Sequence, residues 1–170
     1  MLHTGDTTEA VSRVMEGKED FAIAAKIDRE NAALSFKLLG STRLVMVGAK
    51  NKNYPAKIDG PNAGRNLWRN LPMILPERGV FRERVDEWFS SIQFEPNVYA
   101  QVGGNEAIVS MVSLGFGVGL VPEIVVENSP LRDEVKILEV KPNTRQVEVG
   151  FYTKARRLTN PLISALWKID

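Results

Sequence analysis

The sequence predicts an α/β protein with mostly parallel sheets, because short apolar runs alternate with helical stripes along its 170 residues. Residues 21–25 are continuously apolar, which is typical of a strand buried on both faces. Residues 79–93 differ, because their apolar members recur at the 3.6-residue period of a helix. These members are Phe81, Val85, Trp88, Phe89 and Ile92. An alternation of this kind indicates parallel strands connected by helices.

The first third of the chain is predicted to contain one helix followed by three strands. Asp6 is the predicted N-cap of the helix and Gly17 its predicted C-terminal stop, with apolar residues at helical spacing between them. The strands follow at residues 21–25, 34–39 and 44–47. Residues 48–70 are rich in Gly, Asn, Pro and Lys, and a connection of this length predicts a border between two lobes.

The alternation resumes after residue 70 and continues to the end of the chain. Strands are predicted at residues 73–75, 97–102, 118–121, 135–140 and 145–153. Helices are predicted at residues 79–93, 106–114 and 122–126, and from Asn160 onward. Gly115, Gly117 and Gly119 resemble half of a dinucleotide fingerprint, but they follow a helix and lead into a strand. They therefore predict a tight helix exit rather than a nucleotide site.

The composition excludes several kinds of chemistry. The 22 basic and 21 acidic residues leave a net charge of +1, so no overall field attracts nucleic acid or an anionic membrane. The absence of Cys excludes disulfides, thiolate metal sites and cysteine nucleophiles. The single histidine, His3, lies at the chain start and disfavours a Ser–His–acid triad. We therefore predict no catalytic residue, no metal and no cofactor.

The chain start carries neither a basic nor an apolar segment, which argues against a secretory signal peptide. No apolar run approaches the roughly 20 residues that a membrane-spanning helix needs. These two features predict a cytoplasmic domain that does not contact a membrane.

Helix starts that follow strands are the most informative positions for function. In open α/β sheets, ligands bind where helices begin, outside the carboxyl ends of the strands. Free backbone N–H groups and the helix dipole favour an anion there, and Lys26 could add a positive charge at the end of the first apolar strand. Ordinary capping and turn chemistry explains the same residues equally well. The candidate binding residues are Asp6, Thr7, Lys26, Arg78, Gly79, Gly103, Gly104 and Asn105.

Two short segments resemble one known family. Residues 16–23 (EGKEDFAI) resemble a G-x-x-D-x-A-I segment, and residues 113–122 (SLGFGVGLVP) resemble a G-x-G-V-x-x-L-P segment. Both belong to the effector-binding domain of LysR-type transcriptional regulators, whose order of elements also matches. The resemblance implies two Rossmann-like lobes of the type II periplasmic-binding-protein kind, joined by two crossover segments. Lobe I would comprise residues 1–48 and 152–170, and lobe II residues 49–151.

The resemblance also implies a function. The family binds a small effector between its lobes, at positions that correspond here to Thr7, to Ala25 or Lys26, and to residues 103–105. Residues 4–6, 102–130, 161–163 and 166–168 are most similar to the branch that activates isoleucine–valine biosynthesis. The implied effector is then acetolactate or acetohydroxybutyrate, a small 2-hydroxy-2-acyl carboxylate. Members form dimers or tetramers through these domains.

Compared with the family, the chain is expected to lack the N-terminal winged helix-turn-helix and linker helix. It is also expected to lack the first strand and helix of lobe I. DNA would then be contacted only through the missing N-terminal domain.

Two other classes of protein remain as alternatives. A solute-binding protein of similar fold would need a signal peptide on its precursor. A small α/β enzyme acting on carboxylates would need an acid–base pair, for which Glu77 and Glu106 are the nearest candidates.

Overall fold

The computed structural model describes residues 2–28, 31–54, 58–59, 70–141 and 143–169. The chain divides into two compact units: unit 1 comprises Met1–Ser41 and Val147–Asp170, and unit 2 comprises Thr42–Gln146. The sequence places these borders at 48/49 and 151/152, whereas the structural units divide at 41/42 and 146/147. The lobe borders stay a prediction, and β2 runs without a break through the first division between the units.

Unit 1 is a small sheet with helical segments at both ends of its sequence. It contains α1 (Thr7–Glu16), β1 (Phe21–Ala25), the first part of β2 (Leu34–Ala49), most of β9 (Gln146–Lys154) and α5 (Pro161–Trp167). The strand order is β1-β9-β2, and β1 runs antiparallel to β9. Val11 of α1 packs with Ala24 and Tyr152 of the sheet, which forms the core of this unit.

The ends of α1 confirm the predicted signals. The Asp6 carboxylate accepts a hydrogen bond from the backbone N–H of Glu9 at 2.9 Å. Gly17 adopts a left-handed φ of 79°, and its N–H donates to the carbonyl of Val14. A short turn then reverses the chain into β1, so the start of α1 and the end of β1 lie at the same end of unit 1.

Unit 2 holds the larger sheet. Its strands are the second part of β2, β3 (Ile58–Asp59), β4 (Met73–Pro76), β5 (Val98–Val102), β6 (Val118–Pro122), β7 (Val135–Leu138) and β8 (Val140–Lys141). Its helices are α2 (Val80–Ser91), α3 (Asn105–Ser113) and α4 (Glu123–Glu127). The order is β2-β6-β4-β5, with β7 paired to β2 and with β3 and β8 forming a separate parallel pair.

Every residue of strand β4 is apolar, because both faces of the strand are covered by helices. Leu75 packs on one face of the sheet with Val85 and Trp88 of α2. Ile74 packs on the opposite face with residues of α3, among them Ile108. A strand covered by helices on both faces leaves no position for a polar side chain. The predicted helix over residues 79–93 is likewise confirmed as α2, with Val85, Trp88 and Phe89 buried.

The α/β fold is confirmed, but the sheet is mixed rather than mostly parallel. Strand β4 runs parallel to β5 and β6, whereas β2 runs antiparallel to β6 and β7. The two predicted strands at 34–39 and 44–47 are one strand, β2, because Gly40 continues the extended backbone and the ladder carries on beyond it. Periodicity reports burial along a strand and carries no information about its direction.

Gly115 is confirmed as the helix exit, whereas Gly119 lies within β6. Gly115 has a φ of 83°, and its N–H donates to the carbonyl of Val112 at 2.8 Å, closing α3. Strand β6 begins three residues later, so no helix follows the glycines to hold a phosphate. No helix among the described residues has the length and apolarity to cross a membrane.

Candidate functional site

The carboxyl ends of β4 and β5 bring two of the predicted positions together in unit 2. The strands are parallel and adjacent, with Pro76 opposite Val102. The N–H of Glu77 donates to the carbonyl of Val102 at 3.0 Å, which extends the pairing by one residue. Arg78 and Gly79 therefore lie beside residues 103–105 at one edge of the sheet, as expected for the ligand edge of an open α/β sheet.

Both helices that start at this edge begin on glycine. Gly79 precedes α2 at a φ of 85°, and Gly104 precedes α3 at a φ of 88°. Neither helix start receives a side-chain cap from a described residue, whereas Asp6 caps α1 and Asn160 caps α5. The first-turn N–H groups of α2 and α3 have no partner within their own helices and suit an anionic or carbonyl ligand.

Carboxylates border the same edge. A Cβ atom added to Gly103 would lie 3.8 Å from Oε2 of Glu77, and one added to Gly104 would lie 3.7 Å from Oε2 of Glu106. Both glutamates are exposed. Hydrogen-bond donors from two helices and acceptors from two carboxylates thus surround residues 103–105, and such a set suits a ligand that carries both an acid group and a hydroxyl group.

Unit 1 gathers the remaining predicted positions. Asp6 and Thr7 form the start of α1, and Lys26 follows the end of β1 at the same end of the unit. The Lys26 ammonium lies 2.6 Å from Oε2 of Glu148 and 5.5 Å from the centre of the Phe36 ring. Its charge is therefore balanced by Glu148. The sequence analysis missed Glu148 because the antiparallel β1–β9 pairing joins residues 122 positions apart.

A buried tyrosine holds the backbone just beyond Lys26. The Ile27 N–H donates to the Tyr152 hydroxyl oxygen at 2.8 Å, and Tyr152 is only 3% exposed. Burial raises the pKa of the Tyr152 phenol above its ordinary value, so the hydroxyl stays neutral under physiological conditions. Tyr152 therefore fixes the path of the chain next to a candidate binding residue.

Tyr152→Phe is predicted to destabilise the protein by about 1–2 kcal/mol, because the partly buried Ile27 N–H would lose its acceptor. Urea unfolding followed by far-UV circular dichroism measures the change. The matched control is Tyr99→Phe, since the Tyr99 side chain is 57% exposed and its removed hydroxyl can be replaced by water. Equal stability of the two variants would contradict the anchoring role.

The structure thus assembles the predicted residues into two sets. One set lies in unit 2 and contains Arg78, Gly79 and residues 103–105; the other lies in unit 1 and contains Asp6, Thr7 and Lys26. Among the described parts of the chain, no group of three or more His, Asp or Glu side chains could hold a metal ion.

Comparison with known proteins places the chain in a family. Residues 1–169 match the model of the LysR substrate-binding domain. The chain belongs to this family. It is 38% identical over 177 residues to the HTH-type transcriptional activator IlvY of Salmonella typhimurium (strain LT2), covering 99% of this chain and 57% of that protein. It is 37% identical to IlvY of Escherichia coli (strain K12) with the same coverage, so it spans 57% of the length of these relatives.

Solved structures of LysR-type domains share the fold. The effector-binding domain of QuiR in complex with shikimate matches with a TM-score of 0.75 and 20% identity, over 95% of this chain and 74% of that one. The regulatory domain of Synechocystis PCC6803 CcmR in complex with 2-PG matches with a TM-score of 0.79 and 17% identity, over 95% and 76%. The fold is therefore that of type II periplasmic-binding-like domains. The relatives are regulators and the matched region is their binding domain, so this LysR domain is not an enzyme.

Proposed function

We propose that this LysR domain senses a small carboxylate effector for a cytoplasmic transcriptional activator of isoleucine–valine biosynthesis. Units 1 and 2 would correspond to the two lobes of the family. DNA would be contacted by the helix-turn-helix part that the names of the IlvY relatives indicate. These relatives support the proposal, since they match 99% of this chain.

The observation that carries the proposal is the edge formed by β4 and β5. Two helices begin there on Gly79 and Gly104, and no described side chain caps either of them. Their N–H groups and dipoles would act on a ligand at this edge, and Gly103 would let the ligand approach the backbone closely. The helix starts would hold a carboxylate through partial charges alone. Arg78 would add a full positive charge at the rim of the site.

Unit 1 would offer a second group of ligand-binding atoms. The hydroxyl of Thr7 and the N–H groups at the start of α1 can bind ligand oxygens. Because Glu148 already pairs with Lys26, that lysine would contribute a donor more than a net charge.

The proposed effectors are acetolactate and acetohydroxybutyrate, and two arguments support them. The first is the similarity to IlvY. The second is chemical: the effector carboxylate would accept from the helix N–H groups, and its tertiary hydroxyl would donate to Glu77 or Glu106. Effector binding to one of two conformations would shift their populations and so reposition the DNA-binding parts of a dimer or tetramer.

Calorimetry tests the proposal. Titration of acetolactate or acetohydroxybutyrate into the full-length regulator is expected to release heat and to raise the melting temperature. Ligand at about 100 times its dissociation constant adds about 2.7 kcal/mol of stability. Pyruvate, which lacks the tertiary hydroxyl, is the control and should have a much smaller effect. No heat and no thermal shift with either hydroxy acid at millimolar concentration would refute the proposed effectors.

A further inference from the structure

Lys26 is a candidate binding residue for an acidic ligand, yet its ammonium group is already in contact with a carboxylate. Nζ of Lys26 lies 2.6 Å from Oε2 of Glu148, and the two side chains are 50% and 42% exposed. Both residues belong to unit 1. A ligand that reaches Lys26 therefore meets an ammonium group that has an acidic partner within the protein.

The backbone of β1 and β9 holds this ion pair together. The antiparallel register places Ala25 opposite Val149, so Lys26 and Glu148 follow as the next opposite pair. The Lys26 N–H donates to the Glu148 carbonyl at 2.8 Å. Directly opposite residues carry their side chains on the same face, with Cβ atoms about 4.5–5.5 Å apart. The sheet itself therefore fixes Glu148 beside Lys26.

An aromatic ring also positions the Lys26 ammonium. Nζ lies 5.5 Å from the centre of the Phe36 ring, within the roughly 6 Å range of a cation–π contact. The Phe36 ring packs on the Tyr152 ring with centres 4.9 Å apart, and the Tyr152 hydroxyl accepts from the Ile27 N–H. Because Phe36 and the backbone at Ile27 hold the lysine independently of Glu148, removal of the Glu148 charge should leave the ammonium in place.

A ligand carboxylate at Lys26 must compete with Glu148. The Glu148 carboxylate is always within contact distance, whereas a free ligand arrives from dilute solution. A carboxylate that entered beside Glu148 would also bring two like charges within a few ångströms of each other, which costs affinity. A ketone or hydroxyl oxygen avoids this cost and can still accept from the ammonium, since a lysine has three N–H donors.

We propose that Glu148 is a specificity-determining residue of the effector site, because it makes the position at Lys26 accept an uncharged ligand oxygen and exclude a carboxylate. The inference rests on the proposed function, in which Lys26 contacts the effector. It adds the chemical class that this position selects, which is the ketone or hydroxyl oxygen of a hydroxy-keto acid.

Two ligands of similar size test this selectivity in the full-length regulator. In 2-hydroxy-2-methylmalonate a carboxylate replaces the acetyl group of acetolactate, so the molecules differ mainly by one negative charge. Calorimetry is expected to show at least tenfold tighter binding of acetolactate to the unaltered protein. Glu148→Gln removes the charge with little change in shape and is expected to reduce this preference at least fivefold. An unchanged preference would overturn the inference.

The matched control is Glu16→Gln. The Glu16 carboxylate also belongs to unit 1 and lies 2.6 Å from the Lys18 ammonium, with both side chains exposed. Glu16 is the last residue of α1, at the opposite end of the helix from Asp6 and Thr7. The control removes the same charge and should keep the ligand preference of the unaltered protein. Equal effects of the two variants would show that net charge sets the preference, against the inference.

Acetate tests the role of Glu148 without any effector. The amide NMR signals of Lys26 and Ile27 report on binding while sodium acetate is added to the 170-residue chain at constant ionic strength. Glu148→Gln is expected to bind acetate at this position at least fivefold more tightly than the unaltered chain. Addition of Lys26→Gln to that variant should abolish the gain. The inference fails if Glu148→Gln shows no gain, or if the gain persists without Lys26.

These measurements separate the inference from the proposed function. A gain in acetate binding without binding of either hydroxy acid would refute the proposed effectors and leave the role of Glu148 in place. Binding of acetolactate with the same ligand preference and the same acetate affinity in Glu148→Gln would support the effector and refute the role of Glu148.

Discussion

Gly119→Ala is expected to destabilise the protein by about 3 kcal/mol, a large effect for the addition of one methyl group. The new Cβ atom would lie 2.4 Å from Cγ2 of Ile108 and 3.2 Å from the carbonyl oxygen of Ile74. Ile108 is fully buried between α3 and the sheet and has no open space to move into. The variant must therefore separate α3 from β6 or distort the β4–β6 pairing.

The control for this prediction is Gly40→Ala. A Cβ atom on Gly40 has no atom within 4 Å, and the residue lies in the extended strand β2. This variant should be as stable as the unaltered chain or about 0.4–1 kcal/mol more stable, because alanine restricts the unfolded chain. Urea unfolding measures both variants. Equal stabilities would contradict the close packing of α3 on β6.

Gly103→Val is expected to weaken effector binding at least tenfold while leaving the stability of the domain nearly unchanged. The nearest atom to an added Cβ is Oε2 of Glu77 at 3.8 Å, an ordinary contact with a flexible side chain. The valine side chain would occupy the space beside the start of α3, where the effector carboxylate is proposed to bind. A tenfold loss corresponds to about 1.4 kcal/mol of binding free energy.

Two comparisons make the result interpretable. Gly40→Val adds the same side chain at an open position of β2 in unit 1. This variant should bind the effector normally. Gly104 is unsuitable for this test, because its φ of 88° would strain any residue with a Cβ atom. Calorimetry gives the affinity and thermal unfolding gives the stability. Normal affinity in a well-folded Gly103→Val variant would show that the effector binds elsewhere.

The local signals in the sequence were the most reliable. Helix α2 was predicted from its stripe of apolar residues at helical spacing, and the glycines at 17 and 115 from the left-handed turn that ends a helix. Both signals depend only on residues that are close together in the chain. The buried run in β4 was recognised as a strand for the same reason. The start positions of α2 and α3 followed from these elements, whereas the placement of Arg78 and Gly79 beside residues 103–105 came from the β4–β5 pairing.

Features that join distant parts of the chain were not predictable in the same way. The continuity of β2 depends on β6 and β7, which continue the ladder beyond Gly40. The partner of Lys26 depends on the direction in which β9 pairs with β1. The closeness of Glu77 and Glu106 to the glycines depends on two helices starting side by side.

By itself, the sequence determined the α/β class, the absence of cysteine chemistry, the helix starts and the membership in the LysR family that comparison then confirmed. These properties are carried by composition and by residues close together in the chain. Only the tertiary structure decided that the sheet is mixed, that Lys26 pairs with Glu148, and that Phe21 and Ile23 of β1 are exposed. Strand direction and pairing arise from contacts between residues far apart in the chain, and a local pattern of apolar and polar residues is the same for either direction.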